Sequence, residues 1–127
     1  MKPLFTLSGT VITGKKRGRT LGFPTANIQI PQNIPEGIYA STVEIDKRIY
    51  LAASFVGKAK TFNESDHKLE SYILDFSEII YGKEIEVTLF KKIRSNKAFV
   101  SKDDLILEMG EDIKATREFF LQNLILN

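Results

Sequence analysis

The chain has 127 residues and a mass of 14.4 kDa, which corresponds to a single domain over 1–127 at the usual size of roughly 100–200 residues. With 43% hydrophobic and 27% charged residues it can build one core, and Lys+Arg 18 less Asp+Glu 16 leaves only +2, less than dedicated nucleic-acid or membrane-surface binders usually carry. There is no cysteine and one histidine, His67, which excludes disulfide, zinc-ribbon, thiol and multi-histidine chemistry and leaves carboxylates, hydroxyls and backbone amides.

The amino end, Met1 to Thr13, has no apolar h-region or small-residue cleavage site, so no signal peptide is expected. Leu4–Ile12, rich in Thr, Val, Ile and Leu, reads as a strand. Thr13–Pro24 holds three glycines and a proline and reads as a loop. Thr25–Ile30 is a short strand ended by Pro31 and Pro35. Gly37–Ile45 and Ile49–Val56 flank Asp46-Lys47-Arg48, which reads as a hairpin turn. Ile49–Val56 is also the longest mainly apolar run, far short of the ~20 residues that span a bilayer. A cytoplasmic protein with no membrane partner is expected.

Gly57–Asp66 reads as a second polar loop, and His67 at its end is expected to be a surface residue; within the loop Asn63-Glu64-Ser65 matches the glycosylation triplet by chance. Leu69–Phe76 and Lys83–Arg94 meet near Tyr81-Gly82, which suggests another hairpin. In the later strand Ile85, Val87, Leu89 and Ile93 share one face, with Glu84, Glu86, Thr88 and Lys92 opposite, the pattern of a half-buried antiparallel strand. A helix begins near Ser101, an N-cap serine followed by Asp103 and Asp104. Leu105, Met109, Ile113, Phe120 and Leu124 give it a face to pack on the sheet, and Gly110 invites a kink. Six short antiparallel strands and one helix suggest a small barrel or a strongly curled sheet.

The most informative stretch is Gly14-Lys15-Lys16-Arg17-Gly18-Arg19-Thr20-Leu21-Gly22-Phe23-Pro24-Thr25-Ala26-Asn27. Glycines at four-residue spacing let backbone N–H groups approach an anion, and four basic side chains raise the local potential. Thr25 and Asn27 put two hard oxygens on one face of an extended segment, which suits Mg²⁺, a cation that takes few protein ligands and completes its shell with phosphate and water. A solvated hairpin tip or a nonspecific RNA contact fits the same basic loop. Gly9 to Lys15 imitates the start of a Walker A loop, but position 16 is Lys and the residues between are β-branched strand, so that reading fails.

The whole stretch resembles the signature of the riboflavin kinases (flavokinases): a leading Gly9-Thr10-Val11, a basic flap from Gly14 to Arg19, then Leu21-Gly22-Phe23-Pro24-Thr25-Ala26-Asn27. The resemblance continues through Gly37-Ile38-Tyr39-Ala40, Thr61-Phe62, Glu70 to Phe76, Tyr81-Gly82, and the spacing of Ile93-Arg94, Phe99, Ser101, Leu105 and Asp112. It implies a mainly β fold, a six-stranded antiparallel Greek-key β-barrel with a C-terminal α-helix. It also implies transfer of the γ-phosphate of ATP to the ribityl 5′-hydroxyl of riboflavin, giving FMN and ADP. By resemblance Gly14, Lys15, Gly18, Arg19, Thr20, Gly22, Thr25 and Asn27 bind the nucleotide phosphates, Thr25 and Asn27 hold Mg²⁺, and Glu70 is the catalytic base. Arg94, Phe99, Ser101 and Asp112 fall on the flavin side.

Each of these residues has a plainer role open to it. Glu70 could be an exposed strand glutamate or the partner of a flap arginine, Phe99 a core residue, Ser101 a helix cap, and Arg94 and Asp112 a surface ion pair. The family's proline before Thr-Phe is Lys60 here, its histidine two places after the glutamate is Tyr72, and an acidic residue two after the arginine is Asn96. Those departures leave room for a barrel that binds flavin or nucleotide without turnover. A small nucleic-acid-binding barrel would call for more positive charge and exposed stacking aromatics. The relatives' adenylyltransferase motif is not seen, so FMN rather than FAD is the expected product, from a monomer with no nucleic-acid partner.

Overall fold

Period-two patterning sorts the strands into an inner and an outer wall. The computed structural model describes residues 2–12, 25–31, 33–58 and 67–125. These form β1 (Phe5–Thr10), β2 (Thr25–Ile30), β3 (Gly37–Ile45), β4 (Arg48–Lys58), β5 (His67–Ile73), β6 (Glu84–Arg94) and α1 (Lys102–Ile125). Ile28, Tyr39, Val43, Val56, Leu69, Ile85, Val87 and Leu89 point inward and are buried together. The outward positions of β3 and β4 are also covered at Ile38, Ala40 and Ala53, because α1 packs across β3, β4 and β6. Small residues there let the helix approach the sheet.

The strand order is β1-β6-β3-β4-β5-β2 with every pair antiparallel. Strands β3, β4 and β5 form a meander and β6 returns beside β3, which is the Greek-key arrangement. The free edges of β1 and β2 meet through one bridge, in which the Ile12 amide donates to the Asn27 carbonyl at 2.8 Å. The result is a nearly closed barrel, as the sequence predicts. Closure is helped at Gly9, where an added Cβ would lie 3.2 Å from Ile28 Cβ.

The β3–β4 turn falls where the sequence puts it. Ile45 pairs with Arg48, and Asp46 and Lys47 have φ of 50° and 69°, the left-handed pair that a two-residue type I′ hairpin requires. Inside the barrel Ser41, Ser54 and Ser71 are fully buried and linked Oγ to Oγ at 2.6 and 2.7 Å. Ser41 also donates to the Ala52 carbonyl at 2.8 Å. The chain of hydroxyls satisfies polar groups that would be costly alone in such a core.

Four expectations need correction. The tight turn at Tyr81-Gly82 exists, with Gly82 at φ 82°, but β5 and β6 are not neighbours in the sheet. The Leu74 amide instead donates to Leu51 O, Asp75 turns the chain at φ 58°, and the segment to Lys83 crosses the barrel end with Ile80 buried. His67 is not on the surface; it begins β5 and is 8% exposed. Gly110 does not break the helix, since α1 runs without interruption over 24 residues. The helix face is less apolar than its hydrophobic spacing suggests: its most buried positions are Asp112, Thr116 and Phe120. Among the described residues no helix is long and apolar enough to cross a membrane.

Candidate active site

Strand register lines up residues that lie far apart in sequence. On β2 and β5, Asn27 stands directly opposite Glu70. Glu70 in turn faces Phe55 on β4, Phe55 faces Ile38 on β3, and Ile38 faces Arg94 on β6. Directly opposed residues of antiparallel strands present their side chains on the same face, so Asn27, Glu70, Phe55, Ile38 and Arg94 form one row across the outer wall. The row spans four strand spacings of about 4.8 Å each. The register between β3 and β6 shifts twice, skipping Phe90 and Ile93. Such irregularities bend a strand and re-aim its side chains, here at the Arg94 end of the row.

At the β2 end, Thr25 and Asn27 line a cavity of about 270 Å³ together with Phe76, Ser77, Glu78 and Tyr81. Asn27 is 3% exposed, and its Oδ1 has no hydrogen-bond partner among the described residues. An unpaired buried acceptor of this kind costs free energy unless a further group meets it. A hard amide oxygen with a hydroxyl two residues away is a donor set that fits a hard cation such as Mg²⁺. Among the described residues no group of three or more His, Cys, Asp or Glu could hold a metal ion. A cation here would therefore depend on non-protein oxygens for most of its shell, as Mg²⁺ on a nucleotide does.

Glu70 lies mid-strand on β5, which fixes its backbone. Lys68 Nζ reaches Glu70 Oε1 at 3.1 Å from the same strand; the flap arginines lie outside the described residues. At the β6 end, Arg94 makes a two-pronged contact with Asp112, Nε to Oδ1 and Nη2 to Oδ2 both at 2.8 Å. Glu108 Oε1 lies 3.2 Å from Arg94 Nε, and the Phe99 ring centroid lies 5.9 Å from the guanidinium. Hydrogen bonding to Asp112 raises the Arg94 pKa above its ordinary value, so Arg94 is a fixed cation at any working pH. The Ser101 hydroxyl accepts from the Asp104 amide at 3.1 Å and caps α1, as its sequence position predicts.

The structure thus brings Thr25 and Asn27 together at one end of the row, places Glu70 beside them, and gathers Arg94, Phe99 and Asp112 at the other end. Gly14, Lys15, Gly18, Arg19, Thr20 and Gly22 lie outside the described residues, as do Lys60 and the Thr61-Phe62 pair. Lys68, Phe55 and Glu108 are neighbours that the sequence reading missed. Two had a visible signal. Lys68 is two residues from Glu70 on a strand and so shares its face, and Glu108 is four from Asp112 on a helix. Phe55 had none, because only strand pairing brings it to Glu70.

A riboflavin kinase family model matches residues 1–120. The bifunctional riboflavin kinase/FMN adenylyltransferase of Listeria monocytogenes is 39% identical over 91% of this chain, which covers 38% of that protein. The chain spans about two-fifths or less of the first curated relatives it matches. Among solved structures, one described as a macrolide-efflux protein of Streptococcus pneumoniae superposes with a TM-score of 0.82 at 37% identity, covering 91% of this chain and 38% of that one. The riboflavin kinase of Trypanosoma brucei gives a TM-score of 0.66 at 26% identity, covering 91% of this chain and 79% of that one.

Proposed function

Because the chain belongs to the riboflavin kinase family, we propose that it transfers the γ-phosphate of ATP to the ribityl 5′-hydroxyl of riboflavin, giving FMN and ADP. The observation that supports this reading is the row from Asn27 through Glu70 to Arg94. It sets a metal-type oxygen, a carboxylate and an arginine–aromatic cluster side by side, in the order that phosphate, reacting hydroxyl and flavin require. Phosphoryl transfer asks for little covalent help from the protein; it needs in-line placement, charge neutralisation and a route for one proton.

Glu70 takes the proton from the 5′-hydroxyl as the oxygen attacks phosphorus, and its place on a strand keeps it aimed. Thr25 and Asn27 would hold Mg²⁺, which when bound neutralises charge on the triphosphate. The flap from Gly14 to Arg19 supplies amides and cations for the same phosphates. The cavity beside Thr25, bounded by Phe76, Ser77 and Tyr81, accepts the rest of the nucleotide. Arg94, fixed by Asp112 and lying near Phe99, holds the flavin end, and the ribityl 5′-hydroxyl reaches Glu70.

The test is incubation with riboflavin, ATP and Mg²⁺ followed by separation of the flavins. FMN is expected from the natural chain. Glu70→Gln is expected to keep nucleotide binding and to lose about 10²–10⁴-fold in kcat, the usual worth of a general base. Riboflavin binding without any FMN would instead make the barrel a flavin carrier, and full turnover by Glu70→Gln would remove the base assignment.

A further inference from the structure

We propose that Lys68 is a positioning residue for Glu70, fixing the carboxylate so that one oxygen is held and the other is free for the substrate hydroxyl. The inference rests on the reading of Glu70 as the base. Lys68 Nζ lies 3.1 Å from Glu70 Oε1; among the described residues no partner is seen for Oε2, which would receive the proton. The two residues are two apart on β5 and share its outer wall.

Exposed Lys–Glu pairs on a protein surface do little, because water screens them and two long side chains must be ordered. This pair is different in its surroundings. The Lys68 and Glu70 side chains are only 16% and 26% exposed. Lys68 faces Gln29 on one side and Gly57 on the other, and Glu70 faces Asn27 and Phe55. None of the four carries a charge. The Phe55 ring lies over Gly57, where an added Cβ would collide with it. The cross-strand neighbours of the pair are therefore one aromatic ring, two amides and a glycine, and among the described residues Lys68 is the cation that reaches Glu70.

Glu70 also stands next to Asn27, at the end of the row that would receive a triphosphate. A carboxylate beside that charge is pushed away from it. A lysine two residues along the same strand holds the carboxylate against that push. A free glutamate has three side-chain torsions to order, and small misplacements of a catalytic group lower turnover more than affinity. Lys68 should therefore act on kcat, through Glu70, with little effect on substrate binding.

The experiment is steady-state FMN formation by Lys68→Met, Lys68→Arg, Glu70→Gln and the double variant Lys68→Met/Glu70→Gln, with Lys68→Gln replacing Lys68→Met if the apolar side chain lowers the melting temperature. Lys68→Met is expected to lower kcat by about tenfold with both KM values within about twofold, the signature of an interaction that matters in the transition state. Lys68→Arg should recover most of the loss. In the Glu70→Gln background the Lys68 change should cost nothing further, because residues that act as one unit are not additive. An unchanged kcat in Lys68→Met, a rise in KM for ATP alone, or an additive loss in the double variant would each overturn the proposal. Full turnover by Glu70→Gln would instead remove the base reading itself, and that result is read independently of any Lys68 variant.

Discussion

Asn27 is asked to do two things that conflict in an isolated protein. It sits in β2 with its side chain 3% exposed, yet Oδ1 has no partner among the described residues. Leaving such an acceptor unpaired costs roughly 1–3 kcal/mol, a cost that makes sense where a cation is to be held. Replacement by alanine removes the unpaired group together with its cost, so Asn27→Ala should change folding stability by no more than about 1 kcal/mol. Its effect should fall on Mg²⁺: the concentration giving half-maximal FMN formation should rise by about tenfold or more, and Asn27→Asp, which keeps a hard oxygen, should rise less. Titration of Mg²⁺ at saturating ATP and riboflavin, with a urea melt of each variant, checks both halves. An unchanged Mg²⁺ requirement in Asn27→Ala would take Asn27 out of the metal site.

At the scale of elements, α1 shows where helical propensity and packing part company. Gly110 lies mid-helix and exposed, and an added Cβ there meets nothing within 4 Å. Gly110→Ala should therefore stabilise the protein by up to about 1 kcal/mol, read as a higher urea midpoint with unchanged KM values; a lower midpoint would mean that the backbone uses the glycine's freedom. The same helix explains what could be read from sequence. Strands β2 and β3 match their predicted bounds because Pro31, Pro35 and the Asp46-Lys47 turn mark their ends locally. The Thr25 and Asn27 pair was legible for the same reason, being contiguous on one strand. The β5–β6 hairpin was misread because a strand, a turn and a strand in series do not reveal which strands pair. His67 was misplaced by the polar run before it. The buried face of α1 was read through its apolar spacing, which holds at Phe120, but Arg94 on β6 brings charge into that interface and Asp112 is buried to meet it. The row from Asn27 to Arg94 joins five strands by register, so no local pattern could announce it.

Closure of the barrel ties the whole fold to the candidate site. The edges of β1 and β2 are joined where Ile12 donates to the carbonyl of Asn27, so the residue that completes the cylinder is also the candidate metal ligand. Upstream, β1 leans on β2 at Gly9, where a Cβ would come within 3.2 Å of Ile28 Cβ. Ile28 is fully buried and has little room to yield in a close-packed interior. Gly9→Val must push β1 away from Ile28, and overpacking of this kind costs about 1–3 kcal/mol. If the strands merely part at Gly9, only stability falls. If the shift carries to Ile12, the bridge to Asn27 weakens and the backbone of the metal ligand loses its anchor. Because Gly9 is joined to Ile12 through three peptide units of nearly continuous strand, the second outcome is expected: Gly9→Val should lower the urea midpoint and also raise the Mg²⁺ concentration needed for half-maximal FMN formation. Gly110→Ala, which alters stability far from the bridge, should leave that Mg²⁺ requirement alone. Measuring the two variants side by side separates closure from stability as such, and a normal Mg²⁺ requirement in a destabilised Gly9→Val would show that the cylinder can loosen without disturbing Asn27.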